Sequence, residues 1–323
     1  MERILVTGSS GFLGSKVVEL AIKGNLKVIG IDLRPPTFDH GMNFQFIQMD
    51  VNEIDSINAE DLSFIVHTAS SLPYGNSTTA FEQNNIEAAK KISEFAKAKN
   101  AFLVEIGSSS VYGKPKTIPV SIKTEVSPLD SYARSKLQAE KEIQKILPPD
   151  SYAIIRPRTI LGNGRTGIFT IFFNLILRAL PIPLPNNGNQ VIQFVHVQDL
   201  SNLSLYIGRR KISGIWPAAS PDPKRLRDYL LNLADVYQLR INYLPINPAV
   251  FEKVGGLLHQ LKLTKFTPWH FGAFPYDNYV TAEWKPEGFD YSYSCQQAFN
   301  ETFEACAVIN RPTLRKFRLG KKI

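Results

Sequence analysis

Cysteine is nearly missing from this chain: 323 residues hold two, Cys295 and Cys306. That count excludes a disulfide framework, and no Cys/His cluster has zinc-ligand spacing. A metal site is therefore not expected, and a reducing cytoplasm is the default location. Long apolar runs are missing too. The longest, residues 168–180, is interrupted by Asn174 and Arg178. It falls short of the roughly 20 residues that a membrane span requires, so no transmembrane segment is expected. At the N-terminus, Met1-Glu2-Arg3 leads into an apolar run stopped by Thr7-Gly8. The apolar core of a secretory signal needs roughly 7–15 residues, so this run is expected to be a strand. There is no low-complexity tract, and 44% hydrophobic with 20% charged residues argue for a globular chain with one large or two modest cores.

Acidic residues are absent from the last stretch. Residues 311–323 carry Arg311, Arg315, Lys316, Arg318, Lys321 and Lys322, while the whole chain has a net charge of +8. The tail is expected to be solvated. The alternative is a weak contact with an anionic surface, with Phe317 and Leu319 as apolar partners. No nucleic-acid-binding motif is present, and the basicity is confined to the tail.

What the chain does have is Tyr132-Ala-Arg-Ser-Lys136. Four residues apart on a helix, the two side chains share one face, with Cβ atoms about 5–6 Å apart. A free phenol titrates near ~10, and a neighbouring ammonium favours its phenolate form. The pair is therefore suited to move a proton. Alone, such spacing is common, and its plain reading is an exposed helix with a salt-bridging lysine.

It does not stand alone. Residues 3–7 form a compact apolar run, followed by Gly8-Ser-Ser-Gly11-Phe-Leu-Gly14 and then a segment with helical periodicity. Such glycines permit a tight turn, close backbone approach to a pyrophosphate, and close helix–strand packing. A second strand ends at Asp32, placed to accept hydrogen bonds from the adenosine ribose and to repel a 2′-phosphate. NAD is favoured over NADP, although Arg34 offers a partner for that phosphate. Strands are expected at 43–49, 64–67 and 101–106 and a helix at 80–98. This alternation implies a parallel, doubly wound α/β sheet. Asp32, Asp50, Thr68-Ala69 and Ser108 all lie at strand ends, so they should meet on one rim.

With these motifs the chain resembles the extended short-chain dehydrogenase/reductase family, also called the NAD-dependent epimerase/dehydratase family. The matching residues are Thr7-Gly8-x-x-Gly11-Phe12-Leu13-Gly14, Asp32, Asp50-Val51, Val66-His67-Thr68-Ala69, Asn85, Ser108-x-x-Val111-Tyr112-Gly113, Tyr132-x-x-x-Lys136, Arg156-Pro157 and Phe194 to Asp199. The resemblance implies a Rossmann sheet over residues 1–160 with a return segment at about 189–210. It also implies a smaller, discontinuous substrate lobe from 161–188 and 211–310, ahead of the tail at 311–323. Gly8, Ser10, Gly11, Phe12, Leu13 and Gly14 would hold the pyrophosphate and Asp32 the ribose. Asp50 and Val51 would flank the adenine, with Thr68, Ala69 and Pro157 along the cofactor channel. Tyr132 would be the acid/base, Lys136 would bind the nicotinamide ribose and tune the phenol, and Ser108 would orient the substrate. Ser109 is the alternative for that role. His67 and His196 are expected to be buried structural histidines with backbone hydrogen bonds. His40, His259 and His270 have no partner identifiable by spacing.

The chain departs from the resemblance in the substrate lobe. Thr159 stands where nucleotide-sugar members commonly carry asparagine. Ile192 stands where they often carry a diphosphate-binding arginine, with Arg165, Arg178, Arg209 and Arg210 as candidate replacements. Ser109-Ser110 replaces the Asp-Glu pair of sugar dehydratases, so dehydration by that route is not expected. A nucleotide-sugar epimerase or reductase is the leading reading. A dehydrogenase or reductase for an apolar alcohol or ketone is the alternative, with Phe169, Ile171, Phe172, Phe173, Leu175 and Ile176 as an apolar wall. A non-catalytic NAD(P)-sensing or scaffold protein is the third, against which the intact Ser108, Tyr132 and Lys136 speak. A homodimer through helices at about 80–98 and 130–146 is also expected.

Overall fold

The structure is a computed structural model; it describes residues 2–37, 41–71, 78–165, 168–261, 263–264 and 268–310. The basic tail 311–323 and His40 lie outside the described residues.

The apolar runs become strands buried on both faces. In chain order come β1 (Arg3–Thr7), α1 (Phe12–Lys23), β2 (Lys27–Asp32), β3 (Phe44–Gln48), β4 (Leu62–His67), α2 (Thr78–Ala98), β5 (Phe102–Ile106), α3 (Ser131–Ile146) and β6 (Tyr152–Pro157). There follow β7 (Thr159–Leu161), α4 (Ile168–Leu177), β8 (Ile182–Pro185), β9 (Val191–Ile192), β10 (Phe194–His196), α5 (Val197–Arg210) and β11 (Gly214–Ala218). Seven strands make one sheet in the order β11-β6-β5-β4-β1-β2-β3, and every neighbouring pair in it is parallel. The order reverses between β1 and β4, the place where such sheets open a crevice beyond the strands' carboxyl ends.

Side-chain alternation sorts the strands between two helical layers. Ile4 and Val6 pack with Val17 and Val18 of α1 and Leu200 and Leu203 of α5. Leu5, Ile29, Ile65 and Leu103 pack on the other face with Ile92 and Phe95 of α2 and Ile143 of α3. Those apolar residues of α2 and α3 belong to this chain's own core.

The smaller lobe adds β12 (Lys224–Arg225), α6 (Leu226–Tyr237), β13 (Tyr243–Ile246), α7 (Pro248–Gln260), α8 (Pro268–Ala273) and α9 (Cys295–Asn310). Its core is aromatic: Phe169 and Phe173 of α4 meet Phe194, Tyr229 and Phe299. Both cysteines are buried and neither forms a disulfide. Among the described residues no helix is long and apolar enough to cross a membrane.

One boundary differs from the expectation. β11, within the stretch 211–310 that the resemblance gave to the smaller lobe, closes the sheet; of the return segment, α5 packs on the sheet while β10 pairs with β7 in a separate two-stranded sheet. Pro217 hides β11 in the sequence, because proline argues against a central strand. It is tolerated here because β11 is an edge strand.

Candidate active site

The carboxyl ends of the strands open into a cleft of about 740 Å³, toward the upper end of the roughly 300–1,000 Å³ usual for small-molecule sites. Gly8, Gly11, Phe12, Leu13, Gly14, Asp32, Asp50, Val51, Thr68, Ala69, Ser108, Tyr132, Lys136 and Pro157 all line it. Ser10 does not face the cleft and serves it from behind. Its amide donates to Asp32 Oδ2 at 3.1 Å and its hydroxyl to the Arg34 carbonyl at 2.7 Å.

The glycine loop leaves no room for side chains. Gly8 adopts φ +67°, and a Cβ there would lie 2.8 Å from the Ala69 nitrogen. A Cβ at Gly14 would overlap the Gly8 carbonyl and lie 2.8 Å from Thr68 Oγ1. Gly11 stands at the start of α1 with no side-chain cap, so the amides of the first turn remain for a ligand. Asp32 Oδ1 also accepts the Arg34 amide at 3.0 Å, which holds the carboxylate at the end of β2. Asp50 caps the short helical turn after β3 through the Asn52 amide, at 2.9 Å. Asn85 of α2 pins the loop after β4. Its amide group bonds both the nitrogen and the carbonyl of Ser71, at 2.8 and 3.1 Å.

At the other end of the cleft, Asp130 caps α3 by accepting the Ala133 amide at 2.8 Å, which sets the first turn and Tyr132 within it. Lys136, one turn on, is only 3% exposed, and its Nζ donates to Glu105 Oε1 of β5 at 2.9 Å. Burial opposes the ammonium, but the Glu105 carboxylate and the nearby Tyr132 outweigh it and hold the Lys136 pKa above its ordinary value. Glu105 Oε2 has no hydrogen-bond partner and lies 3.9 Å from His67 Nε2. Burial lowers the His67 pKa, against the pull of Glu105. Nδ1 of His67 pairs with the Thr7 hydroxyl at 2.6 Å, a side chain rather than the expected backbone partner. His196 does take a backbone bond, from the Gln198 amide at 3.2 Å, and also meets Glu301 at 2.9 Å.

Ser108 starts the turn Ser109–Tyr112; its hydroxyl accepts the Ser110 amide at 3.2 Å and meets the Ser110 hydroxyl at 2.8 Å. Ser109 also lines the cleft but is buried. Beneath them a second buried ion pair braces β6 against α3. Arg156 meets both oxygens of Glu140, at 2.6 and 3.1 Å, and donates to the Tyr112 hydroxyl at 2.8 Å.

Three residues, two on the cleft wall and one behind it, were not legible as site residues. Glu105, which holds Lys136, sits in an otherwise apolar strand. Arg158, just past β6, lines the cleft while only 5% exposed. His270 of α8 lines it too, and burial pulls its pKa down to about 4. Of the four arginines expected as anion ligands, Arg165 alone lines this cleft, with its guanidinium over the Phe12 ring. Arg209 donates to the Gly24 carbonyl and Arg210 lies over Tyr206. Of the six apolar-wall candidates only Phe169 faces the cleft. Phe172, Phe173 and Ile176 are buried in the lobe's own core, and Ile171 is exposed.

Fold and cleft together define a dinucleotide-binding α/β protein of the doubly wound type. The chain belongs to the NAD dependent epimerase/dehydratase family, whose model matches residues 4–216. The uncharacterized protein y4nG of Sinorhizobium fredii is 28% identical over 309 residues, 93% of this chain and 77% of its own. The UDP-glucose 4-epimerase of Neisseria meningitidis serogroup A is 28% identical over 257 residues, 71% of this chain and 69% of its own. Among solved structures, UDP-glucuronic acid 4-epimerase from Bacillus cereus in complex with NAD has a TM-score of 0.74. It is 18% identical, with 96% of this chain and 100% of that one covered.

Proposed function

We propose that this chain is an NAD-dependent oxidoreductase or epimerase acting at a secondary alcohol or ketone of a nucleotide sugar, with Tyr132 as acid/base. The observation that carries the reading is the placement of Tyr132, Lys136 and Ser108 on the wall of the same cleft as the glycine loop.

The residues fit the cofactor. Gly8 and Gly14 keep the loop free of Cβ atoms, and the first-turn amides of α1 have no capping side chain. Gly8, Gly11, Phe12, Leu13 and Gly14 would hold the pyrophosphate, and Asp32, which disfavours a 2′-phosphate, the ribose. When bound, the nicotinamide supplies the hydride acceptor and donor. The chain's own residues handle the proton and the alignment. Tyr132 takes the proton from the substrate hydroxyl and returns it in the reverse direction. Lys136, one turn on, would bind the nicotinamide ribose, while Ser108 holds the substrate oxygen.

Two observations favour a nucleotide sugar over an apolar substrate. The relatives named as UDP-glucose 4-epimerases cover most of the chain, and the apolar-wall candidates mostly turn into the lobe core. Dehydration through an Asp-Glu pair is not expected, since Ser109 and Ser110 stand at those positions.

The first test is to denature the purified protein and identify the released nucleotides by mass spectrometry. Stoichiometric NAD supports a cofactor kept through a closed redox cycle, as epimerisation requires. Empty protein that takes up added NADH or NADPH only weakly favours an exchanging reductase. Protein that binds neither sinks the reading.

A further inference from the structure

We propose that Arg158 is the anion-binding residue at the substrate end of the cleft, taking a carboxylate or phosphate group of the bound nucleotide sugar. The inference rests on the nucleotide-sugar reading and specifies which side chain meets the substrate's charge.

The argument begins with a contrast two residues wide. Arg156 and Arg158 are both buried. Arg156 is neutralised by Glu140 in a two-point contact and also meets Tyr112. Arg158 makes one hydrogen bond, from Nη2 to the Asn278 carbonyl at 2.6 Å, while its Nε and Nη1 have no partner. Proteins almost never bury a charged group completely unless it is paired. The groups acting on Arg158 electrostatically are Cys295 and Tyr112. Burial raises the pKa of both, Cys295 to about 12, so neither carries a charge at neutral pH. His270, which shares the cavity wall, is neutral there as well. Among the described residues, no carboxylate contributes to the balance.

The guanidinium nevertheless keeps its proton. Desolvation brings its pKa down to about 10, still well above neutrality. Its position then supplies the partner. Arg158 lines the main cleft next to Thr159, Phe169 and His270. It also lines an adjoining chamber of about 40 Å³ with Ile192 and Asn278. That volume suits one water or the oxygen of an anion, given a share of about 30 Å³ per water. The unpaired N–H groups have almost no exposed surface, toward the cleft or elsewhere, so an anion in the cleft meets them only once the guanidinium turns toward it. Nη2 is taken by Asn278, and Nε–H and Nη1–H do not share an edge of the guanidinium, so each can offer an anion one charge-assisted hydrogen bond.

The test uses the NAD-loaded protein and calorimetric titration with UDP, UDP-glucose and UDP-glucuronic acid, in wild type and Arg158→Met. Hydrogen bonds to charged groups predict a loss of roughly 10- to 100-fold in affinity for the ligand whose anion Arg158 meets. A loss confined to UDP-glucuronic acid assigns the contact to the sugar carboxylate. An equal loss for all three assigns it to the diphosphate. Arg158→Lys, which keeps the charge and a donor for the Asn278 carbonyl, should recover part of the affinity, and replaces Arg158→Met should that variant misfold. If wild type binds these ligands and neither variant shifts any affinity more than about twofold, Arg158 is only a strut to Asn278 and the proposal is overturned. If wild type binds none of the three, the nucleotide-sugar reading itself fails, and this inference with it.

Discussion

Lys136 keeps its charge where water cannot help it, and the residue that makes this tolerable is Glu105, 1% exposed and 2.9 Å away. Breaking a buried ion pair by removing one partner costs about 3–5 kcal/mol, because the other charge is left uncompensated. Glu105→Leu should therefore lower unfolding stability by about that amount in urea titrations. The double change Glu105→Leu with Lys136→Met should recover most of it. A single-variant loss below about 1 kcal/mol would mean the pair does not hold the strand to α3. Tyr132→Phe belongs to the same scale with the opposite signature: turnover falls by about 10²–10⁴-fold or more, while NAD affinity stays within about twofold. Activity surviving that change removes Tyr132 from the chemistry. Tyr132 and Lys136 were legible because their spacing encodes a shared helix face. Glu105 was legible only as an oddity, an acid inside Phe-Leu-Val-Glu-Ile. With 37 lysines and arginines in the chain, nothing local says which one answers it.

At the scale of elements, the glycine loop is a packing problem before it is a binding site. A methyl group at Gly14 has to displace the Gly8 carbonyl and the Thr68 hydroxyl, backbone and side chain that the sheet already fixes. Overpacking of this kind costs about 1–3 kcal/mol, and it falls on the segment expected to hold the pyrophosphate. Gly14→Ala should weaken NAD binding roughly 5- to 150-fold by titration fluorimetry, following about 1.4 kcal/mol per decade. Gly256 is the control. It lies within α7 with nothing within 4 Å of its missing Cβ, so Gly256→Ala should add about 0.5–1 kcal/mol of stability and leave NAD affinity alone. Equal effects from the two changes would dissolve the distinction. The strand–loop–helix of the first half was readable because its signals are local: glycines, periodicity, an acid at a strand end. The lobe was not, because its short strands pair across long separations, Ile182 with Tyr243 and Ile192 with Lys224. A two- to four-residue strand carries too little pattern to announce its partner.

Across the whole molecule, two histidines in different layers, His67 buried and His270 half-buried, couple folding to pH in the same direction. His67 ends β4 inside the sheet, and His270 faces the cleft from α8. Burial lowers both pKa values, that of His270 to about 4. The unfolded chain protonates both near ~6.5, so between that value and the folded pKa the unfolded state binds more protons. Stability therefore rises with pH through this window and is lost as pH falls below about 6.5. At 1.36 kcal/mol per pK unit, His270 removes about 2 kcal/mol between pH 7.5 and pH 5, and His67 adds a loss in the same direction. Urea unfolding at those two pH values measures the sum. The variant His67→Asn with His270→Asn separates these two from every other titrating group. Its overall stability can fall, because His67 loses its contact with Thr7, but its difference between the two pH values should shrink by most of that sum. A difference as large as in wild type would show that the two imidazoles titrate alike in the folded and unfolded protein. His270 would then carry a positive charge below about pH 6.5, beside Arg158 and Arg165 on the cleft wall, and the neutral state assigned to it there would have to be given up.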